Sequence, residues 1–194
     1  MSREAILGAL RGAGAPEAPL PREWTPRGGG DDLEPHFVAS LEAAGGRALL
    51  LSGAGELEAA LGDLEQGLGV RRDHVAAGTS LPALDRGAGE DAGLELAVLA
   101  GEFAVAENGG VWVLERRLTR RAPLFLARHV ALVVSRDSLV PDLHAALERV
   151  ASDPDDGYGV LVAGPSKTAD IERTLVIGAH GATTTTVLLV GERS

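Results

Sequence analysis

Three short segments of this chain carry side chains able to do chemistry. The densest is Gly164-Pro165-Ser166-Lys167-Thr168-Ala169-Asp170-Ile171-Glu172-Arg173. Gly164 and Pro165 turn the chain, and Ser166, Lys167 and Thr168 then offer two hydroxyls, an ammonium and successive backbone N–H groups, the materials of an anion cradle. Arg173 could add a bidentate contact to a carboxylate. If a helix begins here, Ser166, Asp170 and Arg173 share one face, with Asp170 a candidate catalytic carboxylate. The plainer reading is a turn whose polar residues cap a helix, Asp170 and Arg173 forming a structural pair. In the second segment Glu107 ends an apolar run just before Asn108-Gly109-Gly110. A carboxylate in that place can act as a nucleophile toward an activated acyl group, as a general base, or as an acceptor for a substrate hydroxyl; the alternative is a solvated turn residue. The third is Gly178-Ala179-His180-Gly181-Ala182, where an imidazole between glycines has room for a close ligand and a pKa suited to proton transfer.

Other chemistries are excluded by spacing. Gly159 and Gly164 stand at the separation of a nucleotide phosphate loop, but Pro165 and Ser166 intervene before Lys167. There is no nucleophile elbow, no dinucleotide fingerprint and no His-x-x-x-His pair for a helix-borne metal. His129 is a weaker candidate of the His180 kind, while His36, His74 and His144 read as surface or packing residues on helices or helix edges. With no cysteine, the chain forms no disulfide and has no thiolates for an iron–sulfur cluster.

The elements that must position these groups alternate. Residues 1–12 read as a short helix with Ala5, Ile6, Ala9 and Leu10 on one face, and the proline- and glycine-rich stretch from 13 to 31 reads as a linker or draped arm. Such a short helix is marginal alone, so it docks elsewhere or frays. Asp31 and Glu34 have the form of a capping box for a helix carrying Leu33, Phe37 and Leu41, stopped by Gly45-Gly46. An apolar strand over 47–51 and a helix with Leu57, Leu61, Leu64 and Leu68 follow. Strand-like runs then cover 94–99, 103–106 and 111–114, with Asn108-Gly109 as a hairpin turn. Continuously apolar strands at 130–134 and 160–163 flank a helix with Pro141 in its first turn, and Thr183 to Val190 is a last strand. The pattern predicts an α/β layered domain over residues 31–194, with residues 1–30 as helix and arm. Its central sheet is expected to be largely parallel, made mixed by the hairpin around Asn108.

Composition narrows the partners. With 18 basic and 28 acidic side chains the net charge is −10, against nucleic acid, whose phosphates need clustered Lys and Arg. Lys167 is the only lysine among 194 residues, and it falls inside the densest motif. No apolar run approaches the ~18 residues needed to cross a bilayer. The charged start Met1-Ser2-Arg3-Glu4 shows no export signal, so a cytoplasmic location is expected.

The string Gly164 to Glu172, followed by Leu175-Val176-Ile177-Gly178-Ala179-His180-Gly181, resembles the lactate-utilization protein C family (LutC/YkgG, LUD domain). The Ser2 to Leu7 opening, the Phe37 to Gly46 helix, the Phe103 to Gly109 turn and Arg128-His129-Val130 resemble it in order and spacing. The resemblance implies a NagB/RpiA/CoA-transferase-like α/β sandwich. It also implies a part in oxidising L-lactate to pyruvate beside partner proteins that carry iron–sulfur clusters. Two positions depart from the family: Glu107-Asn108-Gly109-Gly110 lacks the hydroxyls of the usual Glu-Thr-Gly-Thr, and Ala182 stands where a proline commonly follows. The Glu-Asn-Gly string is also similar to that of CoA-transferases, whose glutamate forms an acyl anhydride.

Three functions are therefore weighed. In the first, the chain is a cytosolic component of lactate oxidation in which Gly164, Ser166, Lys167, Thr168 and Arg173 bind a small carboxylate. Glu107, His180 and Asp170 then serve as candidate proton-handling groups, and electrons pass to partners. The second is a non-catalytic assembly or regulatory module whose N-terminal helix pairs with another chain, a homo-oligomer included. The third is acyl or CoA transfer through Glu107.

Overall fold

In the computed structural model, which describes residues 2–12, 32–85, 93–152, 157–171 and 174–191, the amphipathic runs fold much as their spacing dictates. The order is α1 (Arg3–Gly12), α2 (Leu33–Ala43), β1 (Arg47–Leu51), α3 (Leu57–Leu68), β2 (Arg72–Val75), β3 (Leu84–Asp85) and β4 (Leu96–Ala100). Then come β5 (Phe103–Val105), β6 (Gly110–Leu114), α4 (Ala122–Leu126), β7 (His129–Ser135), β8 (Leu139–Val140) and α5 (Leu143–Ala151). The described chain closes with β9 (Gly159–Val162), β10 (Lys167–Ile171), β11 (Thr174–Ile177) and β12 (Thr184–Val190).

Two sheets lie face to face. The first has the order β1-β12-β7-β4-β2-β3, parallel throughout except for the short antiparallel edge strand β3. The second has the order β8-β5-β6-β9, and β10 and β11 form a separate hairpin. Strict alternation along the parallel strands sorts their side chains to two faces. Leu96, Val98, Ala131 and Leu188 pack on Leu57, Leu61 and Leu64 of α3. From the other face, Ala97, Leu99, Leu132, Val187 and Leu189 meet Ala104, Val111 and Val113 of the second sheet, with Phe37 and Leu41 of α2. The outer face of the second sheet, through Phe103 and Val105, packs on Ala146 of α5. The result is a four-layer helix–sheet–sheet–helix stack, an α/β layered fold with a largely parallel central sheet.

Several expectations are corrected. The hairpin around Asn108 does not make the parallel sheet mixed, because β5 and β6 pair in the second sheet. The parallel sheet's own antiparallel member is β3, which pairs with β2 in the segment the sequence left unassigned. The continuously apolar strand over 160–163 is likewise not an interior strand of the parallel sheet but an edge of the second sheet, antiparallel to β6 and only half-buried. At α2, Asp32 occupies the cap position without a side-chain cap bond, and Glu34 faces Arg136 at 2.9 Å, an ion pair in place of the capping box; Asp31 lies outside the described residues. Pro141 precedes the cap of α5 rather than entering its first turn, the cap being Asp142, which accepts from Ala145 N–H. His74 is not at a helix edge but fully buried in β2.

Candidate functional site

Pairing in the second sheet decides where the motifs fall. Val111 of β6 is opposite Val162 of β9, so the start of β6 and the end of β9 lie side by side. The turn from Glu107 to Gly109 therefore neighbours the loop that begins at Gly164. Two glycines with positive φ let α2 close over both: a Cβ on Gly109 would collide with the backbone of Leu41, and one on Gly164 would sit 2.7 Å from the Ala44 carbonyl oxygen. Leu41 and Ala44 are three residues apart, less than one helical turn. The C-terminal turn of α2 is the ridge against which these two segments rest.

The third segment joins through Ser166. Its N–H donates to the Ala182 carbonyl at 2.9 Å, and its own carbonyl accepts from Gly178 N–H at 2.9 Å. Its side chain faces Gly181, where a Cβ would stand 3.0 Å from Ser166 Cβ and 3.5 Å from its Oγ. The loop bearing His180 is thus laced onto Ser166, with His180 itself exposed. It is tied down again where Thr183 N–H and Oγ1 each donate to the Arg128 carbonyl at 2.8 Å.

The individual side chains are more dispersed than their segments. One Glu107 carboxylate oxygen accepts from Leu143 N–H at 3.0 Å, the first turn of α5, where the helix dipole favours an anion. Lys167 is exposed, and its ammonium lies over Gly45, 3.3 Å from where a Cβ would be, beside the C-terminal end of α2 where the helix dipole favours a cation. Among the described residues no hydrogen bond or ion pair joins Glu107, Lys167 and His180. The helix considered over Ser166–Arg173 is instead the strand β10, antiparallel to β11, with Lys167 opposite Ile177 and Thr168 opposite Val176. Asp170 lies on that strand, and Arg173 falls outside the described residues.

His129, the lesser histidine candidate, opens β7 beside Thr184 of β12, and its Nδ1 is 2.7 Å from Thr184 Oγ1. Burial, reinforced by the Arg128 guanidinium, holds its pKa below the ordinary 6.5, so the ring is neutral at pH 7. Sequence reasoning missed the part played by the end of α2: Gly45 reads as a helix stop, and only its φ of 88° and the Lys167 contact show it as a seat for the lone ammonium. No group of three or more His, Asp or Glu side chains among the described residues could hold a metal ion.

A stack of two sheets between helices, with glycine-bearing turns gathered at one end of the second sheet, defines a layered α/β protein with a polar strand-end cluster. The LUD domain matches residues 92–190, and the chain belongs to the LUD domain family. Lactate utilization protein C of Geobacillus thermodenitrificans is 31% identical over 97 residues, 47% of this chain and 40% of that protein. The Bacillus subtilis protein of the same name is 30% identical over 97 residues, with the same coverage. For that of Geobacillus kaustophilus the figures are 31% over 120 residues, 58% of this chain and 49% of the relative. The chain therefore spans less than half the length of these curated relatives. A crystal structure of a DUF162 family protein from Deinococcus radiodurans has the same fold, with a TM-score of 0.61 at 20% identity, covering 82% of this chain and 96% of that one. No helix among the described residues is long and apolar enough to cross a membrane.

Proposed function

We propose that this chain is a component of L-lactate utilization that binds a small carboxylate at the end of the second sheet and serves the oxidation of L-lactate to pyruvate beside iron–sulfur partner proteins. Kinship with the lactate utilization C proteins supports the pathway. The observation that carries the binding role is the meeting of the Gly164–Thr168 loop with the His180 loop through Ser166, next to the Glu107 turn. Gly164 supplies the turn, Ser166, Lys167 and Thr168 take the carboxylate, and Arg173 adds a bidentate contact. His180 or Glu107 accepts the hydroxyl proton, with Asp170 a further candidate. Oxidation of the alcohol to a ketone releases two electrons and two protons; the electrons leave for clusters on the partners, since this chain has no cysteine to ligate one.

The binding role is tested by titrating lactate and pyruvate into the protein and into Lys167→Ala, followed by NMR. Shifts confined to residues 164–168 and 178–182, lost in the variant, support it; no shift at millimolar carboxylate removes it. The pathway role is tested by deletion, which should abolish growth on L-lactate and spare growth on pyruvate. Unimpaired growth on both removes that role.

The assembly reading draws on α1, whose Ile6 and Leu7 are 46% and 37% exposed, apolar side chains left open to a partner among the described residues. Acyl transfer through Glu107 requires its carboxylate to leave Leu143 N–H, and hydroxylamine trapping with an acyl-CoA would reveal it by mass.

A further inference from the structure

The two edges of the six-stranded sheet are finished differently. One ends in β3, two residues long and antiparallel, whose Asp85 is held by the Arg120 guanidinium. That is a blunted edge of the kind that resists further pairing. The other ends in β1, which among the described residues pairs with β12 on one side only and carries Ala48-Leu49-Leu50-Leu51 without proline, lysine or bulge. Leu50 is 38% exposed there. Between β1 and α3 runs a groove of about 300 Å³ walled by Leu49, Leu50, Ala60 and Leu68. Gly67 also lines it, beside open space in which a Cβ would meet nothing within 4 Å. Arg47 and Asp63 line the same groove, and among the described residues neither takes part in an ion pair.

We infer that β1 is an interface strand whose occupant is a second copy of this chain, its β1 adding antiparallel across a two-fold axis to make one continuous sheet. An axis normal to the sheet sets two like edge strands antiparallel and leaves both α3 helices on the same face, so the two grooves open onto each other. The outward N–H and C=O groups of β1 are then satisfied by the partner strand, and Leu50 is covered. The charges select the occupant. A groove holding one uncompensated cation and one uncompensated anion is its own complement under a two-fold axis, Arg47 of each copy facing Asp63 of the partner subunit. An unrelated strand would satisfy the backbone and leave both charges unmet.

Sedimentation velocity from about 1 to about 100 µM should show a concentration-dependent dimer. Leu50→Lys, a change at an exposed side chain, should weaken association at least about tenfold while leaving the dilute-solution Tm unchanged. Arg47→Glu and Asp63→Arg should each weaken it, and the double exchange should restore it, a recovery that a purely structural role for either residue would not produce. A chain that stays monomeric at about 100 µM overturns the inference. So does a dimer indifferent to Leu50→Lys, whose interface then lies elsewhere, or a double exchange that fails to recover.

Discussion

Between the two sheets Leu132, Val187, Ala104 and Val111 have no solvent exposure at all, whereas on the β10–β11 hairpin Leu175 and Ile177 leave 58% and 52% of their surface in water. The first region is a platform in which every side chain is committed to packing on both neighbours. The second is attached by backbone bonds through Ser166 and by the seating of Pro165 and Lys167 against Gly45. The difference teaches that the groups with chemical potential sit where substitution costs the fold little, while the glycines that hold their segments in place belong to the platform.

That division can be broken or sharpened. The largest loss is expected for Leu132→Ala, where truncating a fully buried side chain between the sheets should cost about 3–4 kcal/mol in urea unfolding. Next comes Gly109→Ala, which needs a left-handed backbone at φ 68° and space already filled by Leu41. It should lose roughly 2–4 kcal/mol. Gly62→Ala, on α3 with nothing within 4 Å, should instead gain about 0.5–1 kcal/mol. If both glycine changes cost alike, the close approach of α2 to the Gly109 turn is not what holds that turn.

Acidification gives a smaller, two-step effect. His129 is held below 6.5 by burial and Arg128. For Glu65 burial pushes the carboxyl up, but hydrogen bonds and charge from Arg72 outweigh it and leave it below 4.5. In both cases the unfolded chain binds the proton first. The contribution of the two groups is therefore complete above pH 6.5, declines below it as the His129 part is lost, and declines again below pH 4.5 as that of Glu65 goes. Urea midpoints against pH should show both steps, and His129→Gln should erase the upper one. The least effect belongs to the hairpin: Leu175→Ser should stay within about 0.5 kcal/mol of the parent. A loss above about 2 kcal/mol there would make the hairpin part of the platform.

Much of this platform is legible in the residue pattern. Leu57, Leu61 and Leu64 announce α3, the unbroken apolar run at 130–134 announces a strand covered on both faces, and Asn108-Gly109 announces a hairpin turn. What the pattern does not reveal is partnership between strands. Nothing local in Val160-Leu161-Val162 distinguishes an interior parallel strand from an edge of the second sheet, because the choice depends on its pairing with Val111 and Trp112, some fifty residues earlier. The polar string from Ser166 to Arg173 reads as a turn and a helix start, and only the pairing of Lys167 with Ile177 makes Lys167–Ile171 a strand. The candidate site was legible as three segments; their meeting depends on that same non-local pairing and on α2 resting over Gly109 and Gly164.

The seating of Lys167 above Gly45 has a practical corollary. Because no other side-chain amine exists in the sequence, reductive methylation with ¹³C-formaldehyde would install a single side-chain label, resolvable from the α-amino signal, at the junction of a helix terminus and the first strand of the hairpin. One resonance would then report on that junction, free of background from any other lysine.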